Sequence, residues 1–374
     1  MNSFLSTMKT KSLLITFYHS LLLALLTVSV SAAPEAEQAD RKADLYTVQQ
    51  GQRFIDEGRY RDAIREFTCV IEAQPTEVEG YRGRMEAELL LGQYSEAFRE
   101  YARIVAFVLP VQPDAESTML ASYANRLASA PGDVPALTGA SFTRWCLFDY
   151  PGTIHVINRL LELRPNDVYG NLFRGSSRVL QGASRADGAM DLERAIALAP
   201  RSPDVRYIVA DAYTYGSEPD LGRAFAEATR ALEWDLDTPR IHAIIAAGYN
   251  ASGDLLAAAT HINRHIELVT TELLPKAPLA PGNSFTLDLV AGRTYEIPIQ
   301  AIVGDTISIA TSSKDYWDTI LVLFAPDGSP VLGSDDSNAY FAAFDWVAEK
   351  AGTYRLRVTF FESVNTGELL VKRN

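Results

Sequence analysis

Three histidines come nearest, by type and spacing, to a set that could do chemistry. His261 and His265 are four residues apart, so on a helix they share one face. A hairpin turning near Gly253 would bring His242 close to His265. Three imidazoles can hold zinc. Position 265 falls at a packed position of its helix, however, and no carboxylate or cysteine completes the set, so the three are read as structural histidines. Cys69 and Cys146 lie far apart without metal spacing and read as buried free thiols, with a bridge as the alternative if the chain is exported. The sequence holds no Gly-x-Ser-x-Gly elbow, no His-Glu-x-x-His, no phosphate-cradling glycine loop and no dinucleotide fingerprint. Its carboxylates are many, but none pairs at a spacing that suggests a dedicated acid and base. No enzyme is expected. A net charge of −13 argues against nucleic acid as a partner, because phosphate binding needs basic stripes.

The elements that must position these residues begin with Gly51 to Pro75. Apolar and small residues fall there at helical spacing in two runs, broken at Glu57-Gly58-Arg59. Gly51 and Phe54 share a face of the first run; Ala63, Phe67, Val70 and Ile71 share a face of the second. Pro75 stops the second run. A lone hairpin cannot bury its apolar side, so the pattern should repeat. At 374 residues, 47% hydrophobic and 22% charged, the chain has room for several such units and a further domain.

The N-terminus reads as an export signal over residues 1–32. Lys9 and Lys11 precede an apolar run from Leu13 to Val30, and Val30-Ser31-Ala32 suits signal peptidase. The alternative is an uncleaved anchor, since the run of 18 residues sits at the lower edge of what crosses a bilayer. A periplasmic or extracellular location is expected, with membrane contact only if this segment stays attached. Residues 33–43 read as a short acidic linker.

The hairpin recurs. Gly58–Tyr60 and Gly92–Tyr94 are Gly-x-Tyr turns 34 residues apart, and Gly51, Phe54, Ala63, Phe67 and Pro75 are followed by Tyr81, Gly92, Ala97, Tyr101 and Pro110. This resembles the tetratricopeptide repeat, and the resemblance extends over residues 44–274. Asp114 to Ala128 breaks the period and reads as one extra helix. Units resume near Val134, Val168, Pro203 and Pro239, and the last helix is expected to run on to Leu274. The resemblance implies a superhelical solenoid whose concave wall binds a protein or peptide. It places Gln52, Asp56, Arg82, Glu86, Arg144, Tyr207, Asp211, Tyr215 and Asn250 near that groove.

Residues 275–282 hold three prolines in eight residues and read as an extended spacer. Beyond them the period becomes alternating: Phe285, Leu287, Leu289; Tyr295, Ile297, Ile299; then Ile320 to Phe324 and the turn Pro326-Asp327-Gly328. About eight short strands predict an antiparallel sandwich or jelly roll. Gly304-Asp305-Thr306, Asp318-Thr319, Ala325-Pro326-Asp327-Gly328, Ser334-Asp335-Asp336-Ser337 and Ala351-Gly352-Thr353-Tyr354 resemble the bacterial pre-peptidase C-terminal domain across residues 283–374. That resemblance implies an accessory module for polymer or substrate binding. It also implies calcium candidates, Asp318, Asp335 and Asp336, against which Ser334 to Asn338 reads as a polar turn. Tyr316, Trp317 and Tyr340 lie near these loops as an aromatic patch, with Trp317 equally suited to a core.

The expected architecture is an α + β multidomain chain, an all-α solenoid followed by an all-β sandwich. The expected function is a non-enzymatic exported scaffold, binding a protein or peptide through its repeats and an extracellular polymer through its sandwich. The alternative is an accessory subunit of a secreted or envelope enzyme, with recognition carried by the sandwich.

Overall fold

The computed structural model describes residues 47–182, 185–289, 292–312, 319–334, 342–360 and 367–373. The export signal, the linker and the start of the first repeat lie outside them. Among the described residues no helix is long and apolar enough to cross a membrane. The chain forms two compact units that divide between Asp220 and Leu221.

The first unit is helical. Its elements are α1 (Val48–Asp56), α2 (Tyr60–Ala73), α3 (Val78–Leu91), α4 (Tyr94–Arg103), a π-helical turn (Ile104–Val108), α5 (Ala115–Ser129), α6 (Val134–Cys146), α7 (Tyr150–Leu163), α8 (Val168–Gln181), α9 (Arg185–Leu198) and α10 (Pro203–Tyr215). The helices pair as the 34-residue period predicts. Gly58 and Gly92 close α1 and α3 with φ of 73° and 77°, a backbone conformation that favours glycine. The small positions have a direct cause in the Phe67 ring. A β-carbon at Gly51 would lie 2.6 Å from Phe67 Cζ, and one at Gly83 only 2.1 Å. The fully buried ring of α2 therefore fits against α1 and α3 only where both lack side chains. Ile55 is the buried apolar residue of α1, whereas Phe54 is half-buried with the Arg59 guanidinium 4.3 Å from its ring centroid. Asp133, Asp167 and Ser202 accept from the backbone N–H three residues on and so start α6, α8 and α10.

The second unit contains α11 (Leu221–Glu233), α12 (Pro239–Ser252), α13 (Leu255–Val269) and nine strands: β1 (Glu272–Pro275), β2 (Ser284–Leu289), β3 (Arg293–Ala301), β4 (Thr306–Ser312), β5 (Thr319–Phe324), β6 (Pro330–Ser334), β7 (Ala343–Val347), β8 (Gly352–Phe360) and β9 (Gly367–Arg373). The strands form a five-stranded sheet, β1-β3-β8-β5-β6, and a four-stranded sheet, β2-β9-β4-β7. All pairs are antiparallel except β1 with β3. Leu287, Ile297, Ile299, Ile307, Ile309, Leu356 and Val371 belong to the buried core shared by the two sheets.

Two expectations about this unit are corrected. The last helix stops at Val269 rather than Leu274, and Glu272–Pro275 is a strand beside β3. The segment read as a spacer is bound to the sheet. Lys276 N–H donates to Glu296 O and Leu279 N–H to Pro298 O, both at 2.9 Å, and Leu279 is buried. Prolines at 275, 278 and 281 leave the intervening N–H groups free to pair, which suits an edge segment.

The continuous apolar run of β5 is explained by burial on both faces. Leu321 and Leu323 point into the core between the sheets. Ile320, Val322 and Phe324 pack against Ala243 and Ala246 of α12 and Ile262 and Ile266 of α13. The final helical hairpin and the sandwich thus share a core.

Candidate functional site

Four of the expected groove residues come together. Gln52 Nε2 on α1 donates to Asp56 Oδ1 at 3.2 Å, and Arg82 Nη1 on α3 donates to Glu86 Oε2 at 2.8 Å. Gln52, Arg82 and Glu86 are met by α5, the helix outside the period, whereas Asp56 stays exposed. Arg126 Nη1 donates to both Glu86 oxygens at 2.8 and 3.1 Å and to Gln52 Oε1 at 3.4 Å, while its Nε and Nη2 fork onto Asp133 at 3.0 Å each. Tyr123 is fully buried, with the Arg82 guanidinium 5.3 Å from its ring centroid. Gly139 of α6 leaves room for that ring, since a β-carbon there would lie 2.4 Å from it. Burial lowers the Arg82 pKa, but Glu86 and Glu79 outweigh it and hold the guanidinium above its ordinary value. Arg82 and Glu86 are therefore closed inside an ion-pair network instead of lining an open groove.

The other expected residues are dispersed. Arg144, at the end of α6, pairs with Asp149 at the turn into α7. Tyr207 and Asp211 are buried on α10 and Tyr215 is half-buried at its end. Asn250 is half-buried on α12, in the second unit. Asp318, Asp335 and Asp336, with Tyr316, Trp317 and Tyr340, lie outside the described residues. The histidine expectation is corrected: His242 faces His261, with Nδ1 atoms 2.8 Å apart, and not His265. His265 is buried with its Nδ1 2.9 Å from Pro239 O.

Among the described residues of the first unit there is an open recess of about 500 Å³, within the roughly 300–1,000 Å³ range of ligand clefts. It is formed where the C-terminal end of α3 meets the N-terminal ends of α2, α4, α8 and α10. Tyr60, Tyr94, Asp167, Tyr169, Ser202 and Val205 are among its lining residues. Tyr94 and Tyr169 are held by an aromatic layer. Their centroids are 6.0 Å apart, Tyr169 stacks on Phe173 at 4.5 Å, and Phe98 bridges to Phe142 at 4.9 Å and Trp145 at 5.4 Å. The Tyr169 hydroxyl lies 2.9 Å from Ser141 Oγ and donates to Thr138 O at 3.1 Å. Burial pushes the Tyr169 phenol well above its ordinary value, so it stays neutral. Neither histidine nor cysteine lines the recess. It offers aromatic rings, capping carboxylate and hydroxyl groups, and leucine side chains, which suits binding rather than bond making. Of these residues only Tyr60 and Tyr94 stood out in the sequence, as the tyrosines of the two Gly-x-Tyr turns. Asp167 and Ser202 carried a helix-start signal that spacing alone could have revealed.

No protein-family model matches the chain, and no curated protein matches it. Among solved structures, the helical part is similar to TTC0263, a thermophilic tetratricopeptide repeat protein of Thermus thermophilus. The identity is 18%, the TM-score 0.35, and the match covers 54% of this chain and 96% of that one. A tetratricopeptide repeat protein from Parabacteroides merdae matches at 15% identity and TM-score 0.37, covering 59% of this chain and 77% of its own. The C-terminal strands match the pre-peptidase C-terminal domain of a collagenase from Bacillus anthracis at 13% identity and TM-score 0.24, covering 27% and 94%. The helix pairs and the two sheets define the class by themselves: a tetratricopeptide-like helical array followed by a two-sheet β domain.

Proposed function

We propose that this chain is a non-enzymatic, exported scaffold that binds a protein or peptide segment through its helical repeats. The observation that carries the reading is the recess of the first unit. Its walls are helix ends from four repeats, and its rings are held by packing rather than by mobile loops. A peptide can lay an apolar side chain against Tyr94 and Tyr169 and offer N–H groups to the capping oxygens of Asp167 and Ser202. Export rests on the pattern of residues 1–32, and binding of an extracellular polymer by the sandwich rests on its resemblance to secreted accessory modules.

A second reading, an accessory subunit of a secreted or envelope enzyme, draws on the core shared by α12, α13 and β5. A sandwich fused to its last repeat suits a recognition head held at a fixed angle to the hairpin that bears it.

Photo-crosslinking in the source cell separates the two. A photoreactive residue at Asn166, an exposed residue at the edge of the recess, is expected to capture one protein partner, whereas the same group at exposed Met190 captures none. Capture only from Val347, on the sandwich, would support the accessory reading and sink the first.

A further inference from the structure

His242 and His261 face each other across the α12–α13 hairpin with Nδ1 atoms 2.8 Å apart, and His242 Nε2 lies 2.7 Å from Asp237 Oδ1. An ionised carboxylate only accepts, so His242 Nε2 carries a hydrogen and donates it. The gap between the two Nδ1 atoms holds one hydrogen. In the neutral pair His261 Nδ1–H donates to the bare Nδ1 of His242. One added proton is accommodated, because either ring can become the imidazolium while the other accepts. A second proton sets N–H against N–H and cation against cation, and the contact must open.

The surroundings do not relieve that conflict. Asp237 is already shared with Arg264, whose Nη2 donates to Oδ2 at 2.6 Å, and Arg264 also pairs with Glu267 at 3.3 Å. Glu267 favours the charged form of His242 and Arg264 opposes it. Tyr249 of α12 stacks on His261 at 5.6 Å, backed edge-on by Phe225 of α11 at 5.0 Å. Among the described residues no third ligand completes a metal site. His242 is buried and His261 half-buried, so protons reach the pair from the His261 side. The next residue, Ile262, together with Ile266, belongs to the core that α13 shares with β5.

We propose that the His242–His261 pair is an acid-sensitive latch on the α12–α13 hairpin, closed with no added proton or one and opened by the second. Opening loosens the helical layer that covers β5. Burial, and then the His242 charge, push His261 down to about 4. Burial also lowers His242, against the pull of Asp237. Both rings bind protons less readily in the fold than in the unfolded chain. The latch is therefore fully stabilising above the ordinary histidine value of about 6.5 and is lost as pH falls through about 4.

Amide hydrogen exchange of the full chain between pH 7 and pH 4, corrected for intrinsic rates, reads the latch. Protection in α12 and α13 is expected to fall about tenfold or more on acidification, while α6 to α8 keep theirs. His261→Gln retains a donor toward His242 Nδ1 but takes up no proton, so it should abolish the acid-linked loss. Constant wild-type protection down to pH 4, or the same loss in His261→Gln, overturns the proposal. Imidazole nitrogen spectra of the wild-type chain give a test that needs no variant. The latch requires a linked two-step titration, and two independent titrations near 6.5 overturn it.

Discussion

Asp204, in the first turn of α10, accepts a hydrogen bond from the backbone N–H of Ser95 at 3.0 Å and a second from Ser95 Oγ. The two residues are 109 apart in sequence. The N-terminus of α4 has no cap of its own, because Gln93 makes no side-chain hydrogen bond there. A carboxylate from another repeat supplies it, where the free N–H groups and the helix dipole both favour negative charge. This contact draws the start of α10 to the start of α4 and so shapes the recess between them.

Asp204→Ala is expected to destabilise the chain by about 1–2 kcal/mol, the usual loss on removing a cap. Asp204→Asn keeps an acceptor and should restore most of it. Urea unfolding of the full chain measures both, and an unchanged midpoint in the alanine variant would show that the α4 end is satisfied without Asp204.

The shared core of the last hairpin and the sandwich makes a separate prediction. A β-carbon at Gly333 of β6 would lie 2.7 Å from Ile262 Cδ1 and 3.1 Å from Ile262 Cβ. Gly333→Val should therefore force α13 away from the sheet and cost about 1–3 kcal/mol. Exchange protection in α13 should fall together with that in β5. If β5 alone responds, the hairpin does not depend on the sheet.

Glu86 is fully buried and shared by Arg82 and Arg126. Glu86→Ala leaves both guanidinium groups without their common partner. The expected loss is about 3 kcal/mol, the low end for breaking a buried pair, because Arg82 retains Glu79 and Arg126 retains Asp133. Circular dichroism melting checks this. A loss below about 1 kcal/mol would mean that water replaces the carboxylate.

Glu88 is buried on α3, and its Oε2 has no hydrogen-bond partner in the described structure. Burial, and then the charge of Glu100, raise its pKa well above the ordinary 4.5. The sign follows from a raised folded value: the contribution is fully present below 4.5 and is lost as pH rises toward the folded pKa. Glu88→Gln should thus stabilise the chain at neutral pH, by up to about 1.4 kcal/mol for each pH unit above 4.5, and have little effect near pH 4. Melting temperatures that differ from wild type by the same amount at both pH values would refute the buried, neutral carboxyl.

The repeat was legible because it is local. Gly58, Gly92, Ala63 and Phe67 satisfy backbone angles and close packing within one hairpin, so their spacing carries the information by itself. The run Ile320 to Phe324 read as a strand of the sandwich, and only the structure showed that both of its faces are buried. The candidate site was much less legible. Nothing in the spacing of Gln52, Arg82 and Glu86 showed that Arg126 would bind Gln52 and Glu86 or that Tyr123 would pack on Arg82. A single helix outside the period gives no register against which to dock it.

By itself the sequence determined the helical hairpins, the alternating strands that follow and the lack of a recognisable catalytic constellation, since each depends on residues a few positions apart. Tertiary structure alone decided which surfaces stay open. It set α5 over the first repeats and gave α4 its cap from Asp204. It turned the proline-rich segment into a sheet edge, brought His242 to His261 and joined the last hairpin to β5. Those outcomes depend on side chains meeting across tens to a hundred residues, where packing and ion pairing, not local propensity, choose among the arrangements the pattern permits.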